Sequence, residues 1–171
     1  PSAAGVMVMT ASFTDAGGEG IKPLSGSTNV ILRSNTVDLG QASDLQGYSA
    51  VAFGGQNLLI VPKDPGHFAL GTVDLTDISS VMLPTASMGP VSEEVIFEIR
   101  LDSPDGSKIG ESTFKQGPID SNQAPPITGA VMIQVNAPSD GEMHKVFVTS
   151  RTKNGGEIGT FVVAGAIFNS K

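Results

Sequence analysis

The run Val95-Ile96-Phe97-Glu98-Ile99-Arg100-Leu101-Asp102, continued by Ser103-Pro104-Asp105-Gly106, decides the fold class. Val95, Phe97, Ile99 and Leu101 alternate with Glu98, Arg100 and Asp102. This is the period of a strand with one face on a core and one in water. Ile96 is the exception. Proline presets φ and glycine supplies a positive φ, so residues 103–106 read as a tight hairpin turn. Residues 108–114 read as the returning strand, with Ile109 toward the core and Gly110 at a bulge.

Working outward, short strands recur. Residues 6–13 alternate, with Met7, Met9, Ala11 and Phe13 on one face. Apolar runs follow at 29–33, at 50–53 and 57–61 around Gly54-Gly55, and at 68–73 and 80–83. Others fall at 131–135, 146–150 and 160–168. Glycine (21) and proline (11) make up nearly a fifth of the 171 residues, against about 12% on average. No stretch of helical length carries an apolar stripe with caps. The chain therefore reads as an all-β, antiparallel sandwich or barrel of about ten strands. The last strand is nearly all apolar, so it is expected at the sheet centre, covered on both faces. Segments 14–25, 83–94 and 115–129 read as loops. The longest, 115–129, is either functional or a solvent-exposed excursion over a rim. Residues 1–34 read as a lead-in that pairs with the sandwich or ends a preceding domain, and 35–171 as the sandwich itself.

Composition excludes several chemistries. With no cysteine there is no disulfide scaffold, thiolate metal site or cysteine nucleophile, and two histidines leave little for a triad. The net charge of −7, without a cationic cluster, argues against nucleic acid and anionic membrane as partners. The longest uncharged stretches, 45–62 and 121–139, carry polar residues, proline and glycine, so membrane insertion is not expected. The chain begins at Pro1, which reads as a piece of a larger or processed protein. Gly17-Gly18-Glu19-Gly20 lacks the Lys-Ser/Thr ending of a phosphate loop. Glu93, Glu94 and Glu98 would serve acid–base chemistry only if two of them faced each other across a cleft. A self-neutralising strand face is the plainer reading.

The candidates for ligand binding are few. Tyr48 is the sole tyrosine and there is no tryptophan. Tyr48, Phe53 and Phe68 are then the only platforms for stacking on a sugar ring. His67, just after the turn at Pro65-Gly66, is either a ligand contact or a surface residue, and His144 reads as a surface residue opening a strand. Gln56, Asn57 and Lys63 lie near the same turn and are hydrogen-bonding candidates.

Residues 64–78 (DPGHFALGTVDLTDI), 97–110 (FEIRLDSPDGSKIG) and 140–151 (DGEMHKVFVTSR) resemble, in order, three runs of the family 6 type of carbohydrate-binding module. Residues 10–33 resemble the lead-in that precedes such modules at the C-terminus of exported bacterial proteins. Those proteins carry quinoprotein sugar-dehydrogenase-like, trehalose-utilisation-like or cytochrome c domains. The resemblance implies a jelly-roll β-sandwich, non-catalytic carbohydrate binding, a periplasmic or extracellular location and, often, a structural calcium. The family's opening Glu-x-Glu falls on Asp38-Leu39-Gly40, where only Asp38 fits a calcium. The implied function is weak glycan binding by an accessory domain of a larger exported protein, with Tyr48, Gln56, Asn57, Lys63 and His67 as ligand contacts. The alternative is a sugar module that has lost its site and packs on a neighbouring catalytic or cytochrome domain of the parent chain. A contiguous apolar patch on one sheet face would favour that alternative.

Overall fold

The computed structural model describes residues 6–119 and 124–170. The chain divides into two compact units, residues 1–35 and 36–171. In the first, β1 (Val6–Thr14) and β2 (Ser25–Arg33) form an antiparallel ribbon. Asp15 shapes its connection, accepting from the backbone N–H groups of Gly17 and Leu24, each at 2.9 Å. The register sets Met9 opposite Val30, on the same side as Met7 and Phe13, and all four side chains are more than half exposed.

The second unit is a jelly-roll β-sandwich with twelve strands among the described residues. They are β3 (Thr36–Val37), β4 (Ser43–Gln46), β5 (Ser49–Phe53), β6 (Gln56–Ile60), β7 (Gly66–Asp74) and β8 (Ile78–Ser87). There follow β9 (Val95–Leu101), β10 (Lys108–Phe114), β11 (Ile127–Gln134), β12 (Met143–Thr152), β13 (Phe161–Val163) and β14 (Ala166–Ser170). One sheet runs β10-β9-β12-β7-β4. The other is built on β8, which has β11 on one edge and β13 and β14 end to end on the other. Beyond β13 lie β6 and β5; beyond β14 lies β3.

The alternation around Val95 does what the pattern requires. Val95, Phe97 and Ile99 are fully buried in one core cluster with Val81, Leu83, Ile133, Val148 and Phe161. Phe161 stacks on Phe114 with ring centres 4.5 Å apart and meets Phe97 at 6.4 Å. Each such buried side chain contributes about 1.5–3 kcal/mol of transfer free energy. The expected hairpin and bulge are present: the register shifts between Lys108 and Gly110, with Ile109 packed against the core. The turn works differently from expectation. The positive φ belongs to Asp102 (65°), and Gly106 is needed for close approach, because a Cβ there would stand 1.8 Å from the Leu101 carbonyl oxygen.

The whole chain has fourteen described strands rather than about ten. Two polar strands, β3 and β4, carry no apolar run to announce them. The run 160–168 is two strands, interrupted at Ala164-Gly165, and the loop expected from residue 83 is strand as far as Ser87. Pro84 is tolerated in the middle of β8 because of that interruption. Its carbonyl accepts from Ala164 N at 2.8 Å, so its missing N–H points at the gap between β13 and β14, where no ladder bond is forfeited. Of the 115–129 loop, Ile127–Gly129 belong to β11, and residues 120–123 lie outside the described residues.

Candidate functional site

The exposed face of the five-stranded sheet carries ordered polar rows. Residues directly opposite each other across a ladder share a face. Gln46 on β4 pairs with His67 on β7, His67 with Thr149 on β12, Thr149 with Glu98 on β9, and Glu98 with Glu111 on β10. A neighbouring row sets Arg151 beside Ile96 and Thr113. Gln46, His67, Thr149, Glu98, Arg100 and Arg151 line a cleft of about 410 Å³, with Pro104 and Asp105 of the β9–β10 turn at its lip and Ile96 on its floor.

Glu98 is held by Arg100, whose Nε and Nη2 donate to Oε2 at 2.8 and 2.7 Å. Arg100 Nη1 also donates to the Gly106 carbonyl at 2.8 Å, tying the lip to the sheet. Glu98 and Glu111 are like charges directly opposite, which would repel. Lys108 relieves this, reaching Glu111 at 2.7 Å and Glu98 at 3.7 Å. The Lys108 hydrogen bond holds the Glu111 carboxyl below its ordinary range, and that bond raises Lys108 in turn. His67 meets Phe147 edge-on, ring centres 6.2 Å apart, and Lys145 lies 5.3 Å from the centre of the same ring.

Of the five ligand contacts predicted from sequence, His67 alone lines this cleft. Tyr48 is buried, its ring edge-on to buried Phe68 at 4.8 Å and its hydroxyl donating to Ser150 Oγ at 2.5 Å. Neither ring can serve as an open platform. Phe53 is exposed, but on the outward face of the other sheet. Gln56 and Asn57 are consecutive in β6 and point to opposite faces. Asn57 abuts Gly40, where a Cβ would meet its amide nitrogen at 2.3 Å. Lys63 pairs with Glu157 at 2.9 Å and does not line the cleft. These five residues therefore do not converge. Sequence reasoning missed Gln46, Thr149 and Arg151, and read Glu98 and Arg100 only as a solvated strand face. The alternation around Val95 already placed Glu98 and Arg100 on the outward face, but the neighbours that make that face a site come from strands distant in sequence.

The calcium expectation does not fit these residues. Asp38 caps the 3-10 turn Leu39–Gln41, its Oδ1 accepting from Gly40 N at 2.7 Å. Among the described residues no three His, Asp or Glu side chains gather as a metal-binding group. Glu94 is claimed by Lys153 at 2.7 Å and Lys115 at 3.3 Å, and the Lys153 contact, foremost, holds its carboxyl below the ordinary range. His144 is not a free surface residue. Its Nδ1 lies 3.2 Å from Asp102 Oδ2 and its Nε2 3.1 Å from Asp140 Oδ2.

No family model matches the chain, and no curated protein does. Solved structures do. A family 6 carbohydrate-binding module from Clostridium cellulolyticum, in complex with xylose, matches with a TM-score of 0.56 at 18% identity, over 80% of this chain and 98% of that one. A β-1,3-glucan-binding family 6 module from Bacillus halodurans matches with a TM-score of 0.57 at 17% identity, over 80% and 96%. A glycoside hydrolase family 43 arabinoxylan arabinofuranohydrolase from Bacillus subtilis matches with a TM-score of 0.52 at 19% identity, over 71% of this chain and 23% of that one. At these identities the likeness is one of fold: the second unit is built as the family 6 carbohydrate-binding modules are.

Proposed function

We propose that the second unit is a non-catalytic carbohydrate-binding accessory module that receives a neutral glycan on the exposed face of its five-stranded sheet. The observation that carries this reading is the cross-strand row Gln46–His67–Thr149–Glu98, flanked by Arg100 and Arg151, on a sandwich of this fold. A sugar hydroxyl both donates and accepts. The row presents carboxylate and amide oxygens as acceptors, with guanidinium and hydroxyl groups as donors, at strand spacings of about 4.8 Å. The formal charges of Glu98 and Asp105 offset those of Arg100 and Arg151, which suits an uncharged ligand. Without an open aromatic platform only hydrogen bonds and the small apolar floor contribute, so binding is weak.

The reading places the chain in a larger exported bacterial protein, periplasmic or extracellular, whose catalytic domain the module serves. Its match to 23% of a longer arabinofuranohydrolase chain supports an accessory role.

Isothermal titration and NMR chemical-shift mapping against neutral oligosaccharides of β-glucan and xylan type test it. Millimolar binding is expected, with shifts confined to residues around Thr149 and Glu98. Arg151 is exposed, so R151A should abolish binding and leave the melting temperature unchanged. No heat and no shift at saturating sugar would end the proposal.

A further inference from the structure

The imidazole of His144 joins two connections that lie far apart in sequence. Its Nδ1 is 3.2 Å from Oδ2 of Asp102, just past the end of β9, and its Nε2 is 3.1 Å from Oδ2 of Asp140, between β11 and β12. An ionised carboxylate only accepts hydrogen bonds, and a neutral imidazole has a single N–H. Both contacts are therefore hydrogen bonds only when the ring is an imidazolium. These two carboxylates are the charges that act on it. Lys145, next on β12, points to the opposite face and pairs with Asp44. Across the ladder on β7 the residue opposite is Val73, and the neighbouring Asp74 accepts from Thr76 N at 2.9 Å.

Asp102 opens the β9–β10 turn, and Pro104 and Asp105, which follow it, form the lip of the cleft. Its φ of 65° is left-handed, a conformation that a residue with a Cβ keeps only where its surroundings hold it. Asp102 N donates to the Lys145 carbonyl at 2.7 Å, Oδ1 accepts from Lys145 N at 3.2 Å, and Oδ2 meets His144. Of these three, the His144 contact alone depends on a proton that comes and goes near neutral pH.

We infer that the His144 clasp is a latch on the cleft lip: the imidazolium holds Asp102 and so fixes Pro104 and Asp105, and loss of its proton frees them. A neutral ring keeps one N–H and surrenders one carboxylate. The Asp140 contact is the shorter, and it contributes most to holding the His144 pKa above the ordinary histidine value. The proton therefore stays on Nε2, and Nδ1 turns a lone pair on Asp102. The latch is complete below about pH 6.5 and opens as pH rises through the raised value. A glycan in the cleft is then held more tightly in mild acid than in base. That consequence rests on the glycan reading above; the release of the lip does not.

The test is an NMR pH titration of the isotope-labelled chain between about pH 5 and 9. The amides of Asp105 and Gly106 should titrate with the midpoint of the His144 ring, and the neutral ring should carry its proton on Nε2. In H144Q those amides should not titrate. D140N, at an exposed position, should lower the His144 midpoint and carry the amide midpoint down with it. Lip amides that stay fixed while the ring titrates, that follow His67 instead, or that still titrate in H144Q overturn the inference. So does a neutral ring protonated on Nδ1. Glycan titrations at the two ends of the range give the second readout. The rise in dissociation constant from acid to base should be about fivefold larger for the chain than for H144Q, a comparison in which His67 cancels. Equal rises in the two overturn the inference. A chain that binds no glycan at any pH refutes the glycan reading alone, and the lip amides then decide the latch.

Discussion

Replacing Gly106 by alanine should destabilise the second unit by about 3 kcal/mol. The added Cβ would lie 1.8 Å from the Leu101 carbonyl oxygen and 3.1 Å from the Ser103 oxygen, so the turn must open. Opening it loosens Gly106 N to Ser103 O (3.0 Å) and Leu101 N to Ser107 O (3.1 Å), and shifts the Gly106 carbonyl that Arg100 Nη1 holds at 2.8 Å. Two backbone hydrogen bonds at about 1 kcal/mol each, and part of a charge-assisted one, give that sum. For a chain of this size about 3 kcal/mol corresponds to roughly 6–12 °C in melting temperature. Urea unfolding followed by circular dichroism and by tyrosine emission measures it. The chain has no tryptophan and a single, buried tyrosine, so that emission reports the core alone. Because Pro104 and Asp105 form the cleft lip, the variant should also lose glycan binding in conditions where it is folded. A change below about 1 kcal/mol, within the ordinary scatter of surface substitutions, would refute the close-approach argument.

Three further outcomes follow from the same structure. Burial pushes the Tyr48 phenol well above its ordinary range. The folded chain should therefore show no phenolate absorbance near about pH 10.5, and its stability should fall once pH passes the unfolded value of about 10. Y48F should cost about 1–2 kcal/mol by leaving buried Ser150 without its donor. Thr85 Oγ1 is buried without a hydrogen-bond partner among the described residues, so T85V should stabilise by about 1 kcal/mol in thermal melts, and a loss of stability would count against that reading. Asp140 and then Asp102 raise the His144 pKa, while the Glu142 N–H and then His144 lower that of Asp140. The raised histidine contributes stability in full below its unfolded pKa of about 6.5 and loses it as pH rises through the folded value. The lowered aspartate contributes above about 3.9 and loses it as pH falls through its folded value. The melting-temperature difference between the chain and H144Q should therefore be greatest between about pH 4 and 6.5 and vanish in base. A difference independent of pH would rule the clasp out.

The all-β class was legible because period-two alternation is local: one strand around Val95 exposes it without reference to any other. The bulge at Gly110 was legible for the same reason. The site was not. His67, Thr149 and Glu98 become neighbours only through the β7–β12–β9 register, and they are spread over more than eighty positions of sequence. Tyr48 was misleading because, as the sole tyrosine of a chain without tryptophan, it stood out as a platform, and only the tertiary contacts with Phe68 and Ser150 show it facing inward. Gln56 and Asn57 were adjacent in sequence and therefore, on a strand, necessarily apart in space.

The interruption at Ala164-Gly165 has a dynamic consequence. It leaves the sheet built on β8 with two blocks hung on the same edge of that strand. The β5–β6 hairpin is attached to the sheet through the short β13, by Val162 and Val163 opposite Ile60 and Leu59 and by Val61 N to Phe161 O. The β3–β14 block is attached through a different part of β8. Each block can open while the other stays paired, so native-state hydrogen exchange should resolve two sub-global unfolding units on one sheet. The amides of β5 should exchange first, well before those of β8, which is paired on both edges on either side of Pro84.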